Sequence, residues 1–171
     1  LLADYTFHAQ ENIHLVLSGR SAIRVALQTL DLPKGSSVAI QAFTCEAVVL
    51  PVQSLGLKPL FIDVEPSTFS MNFDDLRRKY KLNSCQALIL QHSFGYTPVN
   101  RASILKWCHD HQVAVIEDLA HGFQPTLFEQ KSSTFKVLFP ISFHASKTLS
   151  HSCQVSLYLL TTHVETSLIL L

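Results

Sequence analysis

Charge is what this sequence has least of. Asp, Glu, Lys and Arg make up 15% of its 171 residues and hydrophobic residues 47%, where an average globular protein is about 25% charged. Such a chain buries much of itself or meets a partner that covers it. The charges also cancel, 13 basic side chains against 13 acidic, so no long-range field draws the chain to nucleic acid or an anionic membrane. The nine histidines add positive charge only as the pH falls toward their pKa. The four cysteines, Cys45, Cys85, Cys108 and Cys153, show neither metal-ligand spacing nor a disulfide framework. They read as small core residues in a reducing compartment, and no metal is expected. No basic-then-apolar leader opens the chain and no run of about 18 apolar residues occurs, so a soluble, cytoplasmic protein is expected. Repeats, linkers and low-complexity tracts are missing as well. The length suits one domain or part of one, and residues 1–171 are read as a single unit.

What is present is an alternation of helical and strand patterns from residue 20 to about 120, the signature of a parallel sheet covered by helices. Ala22, Ile23, Ala26, Leu27 and Leu30 have helical spacing, and Pro33-Lys34-Gly35 ends that unit. Val38–Ile40, Leu60–Ile62, Ala87–Leu90 and Val113–Ile116 read as buried strands, the last two without alternation. Helices are predicted over 46–55, interrupted by Pro51 and stopped at Gly56, over 73–80 after an Asn72 cap, and over 102–111. Beyond Gly122, 135–143 and 155–160 suggest two more strands without room for a long helix between them. The expected fold is therefore α/β, three layers with a mostly parallel, mixed central sheet.

Two residues at the ends of apolar segments carry chemistry. Pro140-Ile-Ser-Phe-His-Ala-Ser-Lys147 ends on a lysine, and Val113-Ala-Val-Ile-Glu-Asp118 ends on an aspartate. A lysine at the edge of an apolar pocket loses its proton more easily than in water and can form an imine with an aldehyde cofactor. An aspartate facing a pyridine nitrogen keeps it protonated, so the ring accepts electrons from a breaking Cα–H bond. Ser18-Gly19-Arg20-Ser21 precedes the first helix, where free N–H groups and the helix dipole suit a phosphate. The same residues also have plainer readings, Asp118 as a cap or strand end, Lys147 as a surface lysine and Ser18-Gly19 as ordinary capping.

Taken in order, Ser18-Gly-Arg-Ser-Ala22, Gln41-Ala-Phe-Thr44, Gly56-Leu-Lys-Pro-Leu-Phe-Ile-Asp63, His92-Ser-Phe-Gly95, Val115-Ile-Glu-Asp-Leu-Ala-His121 and Ser142-Phe-His-Ala-Ser-Lys147 resemble the DegT/StrS-type sugar aminotransferases. These are pyridoxal phosphate enzymes of aspartate aminotransferase fold. The resemblance covers roughly residues 15 to 150, and it implies a role for each matching position. Lys147 falls on the Schiff-base lysine, which also moves the proton between substrate and cofactor. Asp118 falls on the partner of the pyridine nitrogen, and His121 on a Gln or His near the ring hydroxyl. Ser142 falls on a phosphate-contacting serine, joined by the amides around Gly19, Arg20 and Ser21, and Phe43 lies in the loop whose aromatic residue stacks on the ring. The implied partners are a nucleotide-linked keto sugar, an amino acid donor, typically glutamate, and a second subunit in a homodimer.

The sequence departs from the family at Arg20, where Thr is common, and at Cys45, which aligns with the stacking aromatic. After Lys147 a glycine-rich turn is replaced by Ser150-His-Ser-Cys-Gln154. Members of the family are also longer and end in a smaller domain, so the chain reads as the large domain without that part. Transamination is the first expectation, since a dehydratase branch of the family carries His in place of Lys147. A truncated or degenerate relative that binds cofactor or a partner without turnover is the alternative. A cysteine desulfurase or amino acid lyase ranks last, because no cysteine sits in a convincing catalytic loop.

Overall fold

The computed structural model describes residues 13–122, 137–140 and 157–159. In chain order they form β1 (Ile13–Leu15), α1 (Gly19–Thr29), β2 (Ser37–Gln41), α2 (Glu46–Ser54), β3 (Lys58–Ile62), α3 (Phe73–Leu82), β4 (Ala87–Gln91), a single 3-10 turn (Ser93–Gly95), α4 (Arg101–Asp110), β5 (Ala114–Asp118), β6 (Val137–Leu138) and β7 (Leu157–Leu159). Five strands make a parallel sheet in the order β3-β2-β4-β5-β6. A separate two-stranded ladder is antiparallel, with Ile13 opposite Leu159. Among the described residues no helix is long and apolar enough to cross a membrane.

Strand alternation sorts the core into two layers. Val38, Ile40, Ala87, Ile89, Ile116 and Leu138 meet Ile23 and Leu27 of α1 and Val48 and Val52 of α2. Ala39, Leu88, Leu90 and Val115 point the other way, onto Leu76 of α3 and Ile104 and Cys108 of α4. Strands apolar on both faces are what a sheet sandwiched between helices requires. The Asn72 cap is present, its side chain accepting from Asp75 N at 2.7 Å. Helix α2 continues through Pro51, and the missing N–H there removes one hydrogen bond from a helix that packs its Val48 and Val52 firmly against the sheet.

This topology locates the functional edge. A short turn through Pro33-Lys34-Gly35 carries the end of α1 into the start of β2, so the N-terminus of α1 lies at the carboxyl edge of the strands. The strand order reverses between β2 and β4, and open α/β sheets receive ligands at the carboxyl edge beside such a reversal.

Candidate functional site

Strand β5 runs two residues beyond its apolar predicted part, through Glu117 and Asp118, and both are buried. Alternation sends them to opposite faces. Asp118 follows Ile116 onto the α1 side, where Gln91 is its register partner on β4. The Asp118 Oδ1 accepts from Ala120 N at 3.0 Å, the turn an aspartate makes with its own backbone two residues on. Burial pushes its carboxyl above the ordinary value of 3.8; the Ala120 N–H, His121, His92 and Gln91 pull the other way. Among the described residues no cation lies within ion-pair distance of it. A dry carboxylate without its own cation suits a ligand that brings a positive ring nitrogen.

Glu117 has the opposite arrangement. Arg101 of α4 grips it with two bonds, Nε to Oε2 and Nη2 to Oε1, each 2.8 Å. His92 Nε2 lies 2.9 Å from Oε2. Burial works against the charge of Glu117, but His92 and Arg101 outweigh it and hold its pKa below the ordinary value. The backbone N–H of His92 donates to the Asp118 carbonyl at 3.0 Å, which joins this network to the strand end.

The loops after β4 and β5 meet closely. A side chain at Gly122 would put its Cβ 2.5 Å from the Gly95 Cα, and Gly95 itself has φ +85°. Only glycine pairs allow backbones this close. His121 accepts from Phe94 N at 3.3 Å, and the two rings face each other at 30° with centroids 6.4 Å apart. Phe43, after β2, packs with Phe69 and Phe94 at 5.3 and 6.3 Å. Phe69 and Phe94 are held at φ 53° and 57°, a conformation costing an L-residue about 1–2 kcal/mol. At the start of α1, Ser18 caps Ser21 N at 3.2 Å. The Gly19 and Arg20 N–H groups precede the first intrahelical bond. Arg20 reaches Glu46 at 3.4 Å across an exposed pair that costs little to exchange.

Of the residues singled out in the sequence, Gly19, Arg20, Ser21, Phe43, Asp118 and His121 therefore belong to loops and element ends along the carboxyl edge. Ser142 and Lys147 lie outside the described residues. Gln91, Phe69, Phe94 and the His92–Glu117–Arg101 network carried no assignment. A charged residue inside the apolar run 113–118 was the available signal, since a buried carboxylate demands a partner. Among the described residues, three buried side-chain atoms have no partner, Gln41 Oε1, Thr44 Oγ1 and Gln91 Oε1. All three stand at the ends of β2 and β4 or just beyond, consistent with a polar ligand received there.

Residues 2–152 match the model of the DegT/DnrJ/EryC1/StrS aminotransferase family. The chain is 30% identical over 150 residues to a dTDP-4-dehydro-2,3,6-trideoxy-D-glucose 4-aminotransferase from Saccharopolyspora spinosa, covering 86% of this chain and 38% of that protein. It is 27% identical over 135 residues to a GDP-perosamine synthase from Escherichia coli O157:H7, covering 79% and 36%. A dTDP-4-dehydro-2,6-dideoxy-D-glucose 3-dehydratase from S. spinosa is 28% identical over 146 residues, covering 81% and 31%. Among solved structures, AtS13 from Actinomadura melliaura matches with TM-score 0.69 and 29% identity, covering 85% of this chain and 40% of that one. The NtdA structure from Bacillus subtilis, with the cofactor PMP bound, shares the fold at TM-score 0.77 and 21% identity, covering 94% and 35%. The chain spans 31 to 38% of the length of these curated relatives. It belongs to the DegT/DnrJ/EryC1/StrS aminotransferase family.

Proposed function

We propose that this family member is the cofactor-binding large domain, residues 1–171, of a pyridoxal phosphate-dependent aminotransferase. It would move an amino group from an amino acid, glutamate in the first instance, to a keto carbon of a nucleotide-linked sugar. The observation that carries this reading is Asp118, a buried carboxylate without a cation of its own, on the same face as α1 and beside the close Gly95–Gly122 contact. Pyridoxal phosphate, when bound, supplies an electron sink for the pair released at the substrate Cα.

The chain's own residues divide the remaining work. Asp118 holds a proton on the ring nitrogen, and His121 stands by to bond the ring hydroxyl. Phe43, with Phe69 and Phe94 behind it, excludes water from one side. The amides at Gly19 and Arg20 and the hydroxyl of Ser21, together with Ser142, take the phosphate at the positive end of α1. Lys147 anchors the cofactor and, once released by substrate, carries the proton to and from the substrate carbon. A lysine at this position favours transamination over dehydration. The functional unit is read as a cytoplasmic homodimer.

The test is a half-reaction in the purified full-length gene product. Loaded with pyridoxal phosphate and given glutamate alone, it should release one equivalent of 2-oxoglutarate per site. Cofactor binding without an oxo acid from any amino acid donor would replace this reading by that of a binding module.

A further inference from the structure

Gln41 ends β2 at the reversal of strand order, with β3 on one side of it and β4 on the other. Its amide nitrogen donates in both directions, to the Phe69 carbonyl in the connection after β3 and to Ser93 Oγ in the turn after β4, each at 3.2 Å. The partners fix which way the amide faces, because a carbonyl only accepts and the nitrogen must therefore point at Phe69. Gln41 is wholly buried. With both N–H groups committed, its Oε1 has no donor among the described residues, a cost that an apolar side chain of the same shape would avoid.

The two bonds fall on the residues that need holding. Phe69 and Phe94, at φ 53° and 57°, occupy the left-handed region, which persists only where the surroundings over-determine it. Gln41 binds the carbonyl of the first and the residue just before the second. Both residues turn their rings outward: Phe69 is 42% exposed and Phe94 59%. With Phe43, 52% exposed, they form a wall whose ring centroids are 5.3 to 6.3 Å apart. From Phe94 the connection continues to the loop after β5, since its N–H donates to His121 Nδ1 at 3.3 Å.

We infer that Gln41 is a clasp across the strand-order reversal, a positioning residue that sets the Phe43–Phe69–Phe94 wall and, through Phe94, His121, while touching no substrate. An apolar side chain would fill the same space without joining the two flanks. That the wall borders a pyridoxal phosphate site rests on the proposed function; the fixing of the rings by Gln41 does not.

The full-length gene product labelled with fluorinated phenylalanine reports the rings directly, the resonances of Phe43, Phe69 and Phe94 being identified by replacing each with Leu. Without cofactor, Gln41→Met, which keeps the bulk and removes both donors, should shift and broaden the Phe69 and Phe94 resonances. Ser93→Ala removes one acceptor only and should move Phe94 more than Phe69. In the Gln41→Met/Ser93→Ala pair, Phe94 should stand where Gln41→Met alone puts it, because the bond the two residues share is already lost. A lowered melting temperature with all three rings unmoved, or shifts that simply add in the pair, overturns the inference. Where Gln41→Met fails to fold, Ser93→Ala decides, and an unmoved Phe94 is then the contradicting result. Loaded with pyridoxal phosphate and saturated with glutamate, Gln41→Met should release 2-oxoglutarate about 10- to 100-fold more slowly, the cost of a misplaced site, with little change in the glutamate concentration that half-saturates it. Moved rings with an unchanged rate would overturn the tie between the wall and the site. A parent protein without any half-reaction refutes the proposed function instead, and leaves the ring resonances to judge the clasp.

Discussion

Asp118 combines a structural cost with a functional use. Its folded pKa is raised by burial, so the folded state holds the proton more tightly than the unfolded chain. Asp118 costs no stability below the unfolded value of 3.8, a growing amount as the pH rises from there to its folded value, and a constant amount above it. Asp118→Asn keeps the acceptor for Ala120 and removes the charge. Without cofactor it should melt higher than the parent at neutral pH, by about 2–4 °C for each kcal/mol relieved. The gain should vanish below the unfolded value, and calorimetry across pH reads both. The same variant should lose pyridoxal phosphate binding by about 10- to 100-fold. Gly122 is constrained differently. Gly122→Ala drives a Cβ against the Gly95 backbone, and neither chain can yield without moving a strand end. A loss of about 1–3 kcal/mol in urea unfolding is expected.

Among the elements, α3 was the most legible in the sequence, because its cap and first-turn acids are local signals. Asn72→Ala should cost about 1 kcal/mol. Asp75 does more than sit in that first turn. Burial works against its charge, but the Asp63 N–H, Lys79 and Arg78 outweigh it and bring the pKa from 3.8 to about 2. A lowered carboxyl adds stability that is complete above 3.8 and is lost as the pH falls through about 2. Asp75→Asn should therefore be less stable than the parent at neutral pH, and the two should converge in acid, as parallel urea titrations would show. The strands were legible as apolar runs, yet β5 was read two residues short, because Glu117 and Asp118 break the pattern while remaining in the strand. The partners of Glu117, Arg101 and His92, come from elements that local periodicity cannot bring together. The Phe43–Phe69–Phe94 cluster, gathered from three loops, and the β1–β7 pairing were hidden for the same reason.

At the scale of the whole molecule, the low charge first seen in composition takes a definite form. Apolar residues fill both faces of one sheet, and the buried charges of the described residues gather at its carboxyl edge, on Glu117, Arg101 and Asp118. The ordered motifs conveyed the family and hence this edge, since loops following successive parallel strands must meet there. What they did not convey was which carboxylate is paired and which is left open. The account requires that edge to receive pyridoxal phosphate with Lys147 as its covalent anchor. The most direct measurement is to load the full-length gene product with the cofactor, reduce it with borohydride and locate the added mass by peptide mapping. The account predicts a single modified peptide containing Lys147 and no modification in Lys147→Ala. Modification of a different lysine, or equal modification of the variant, would contradict it.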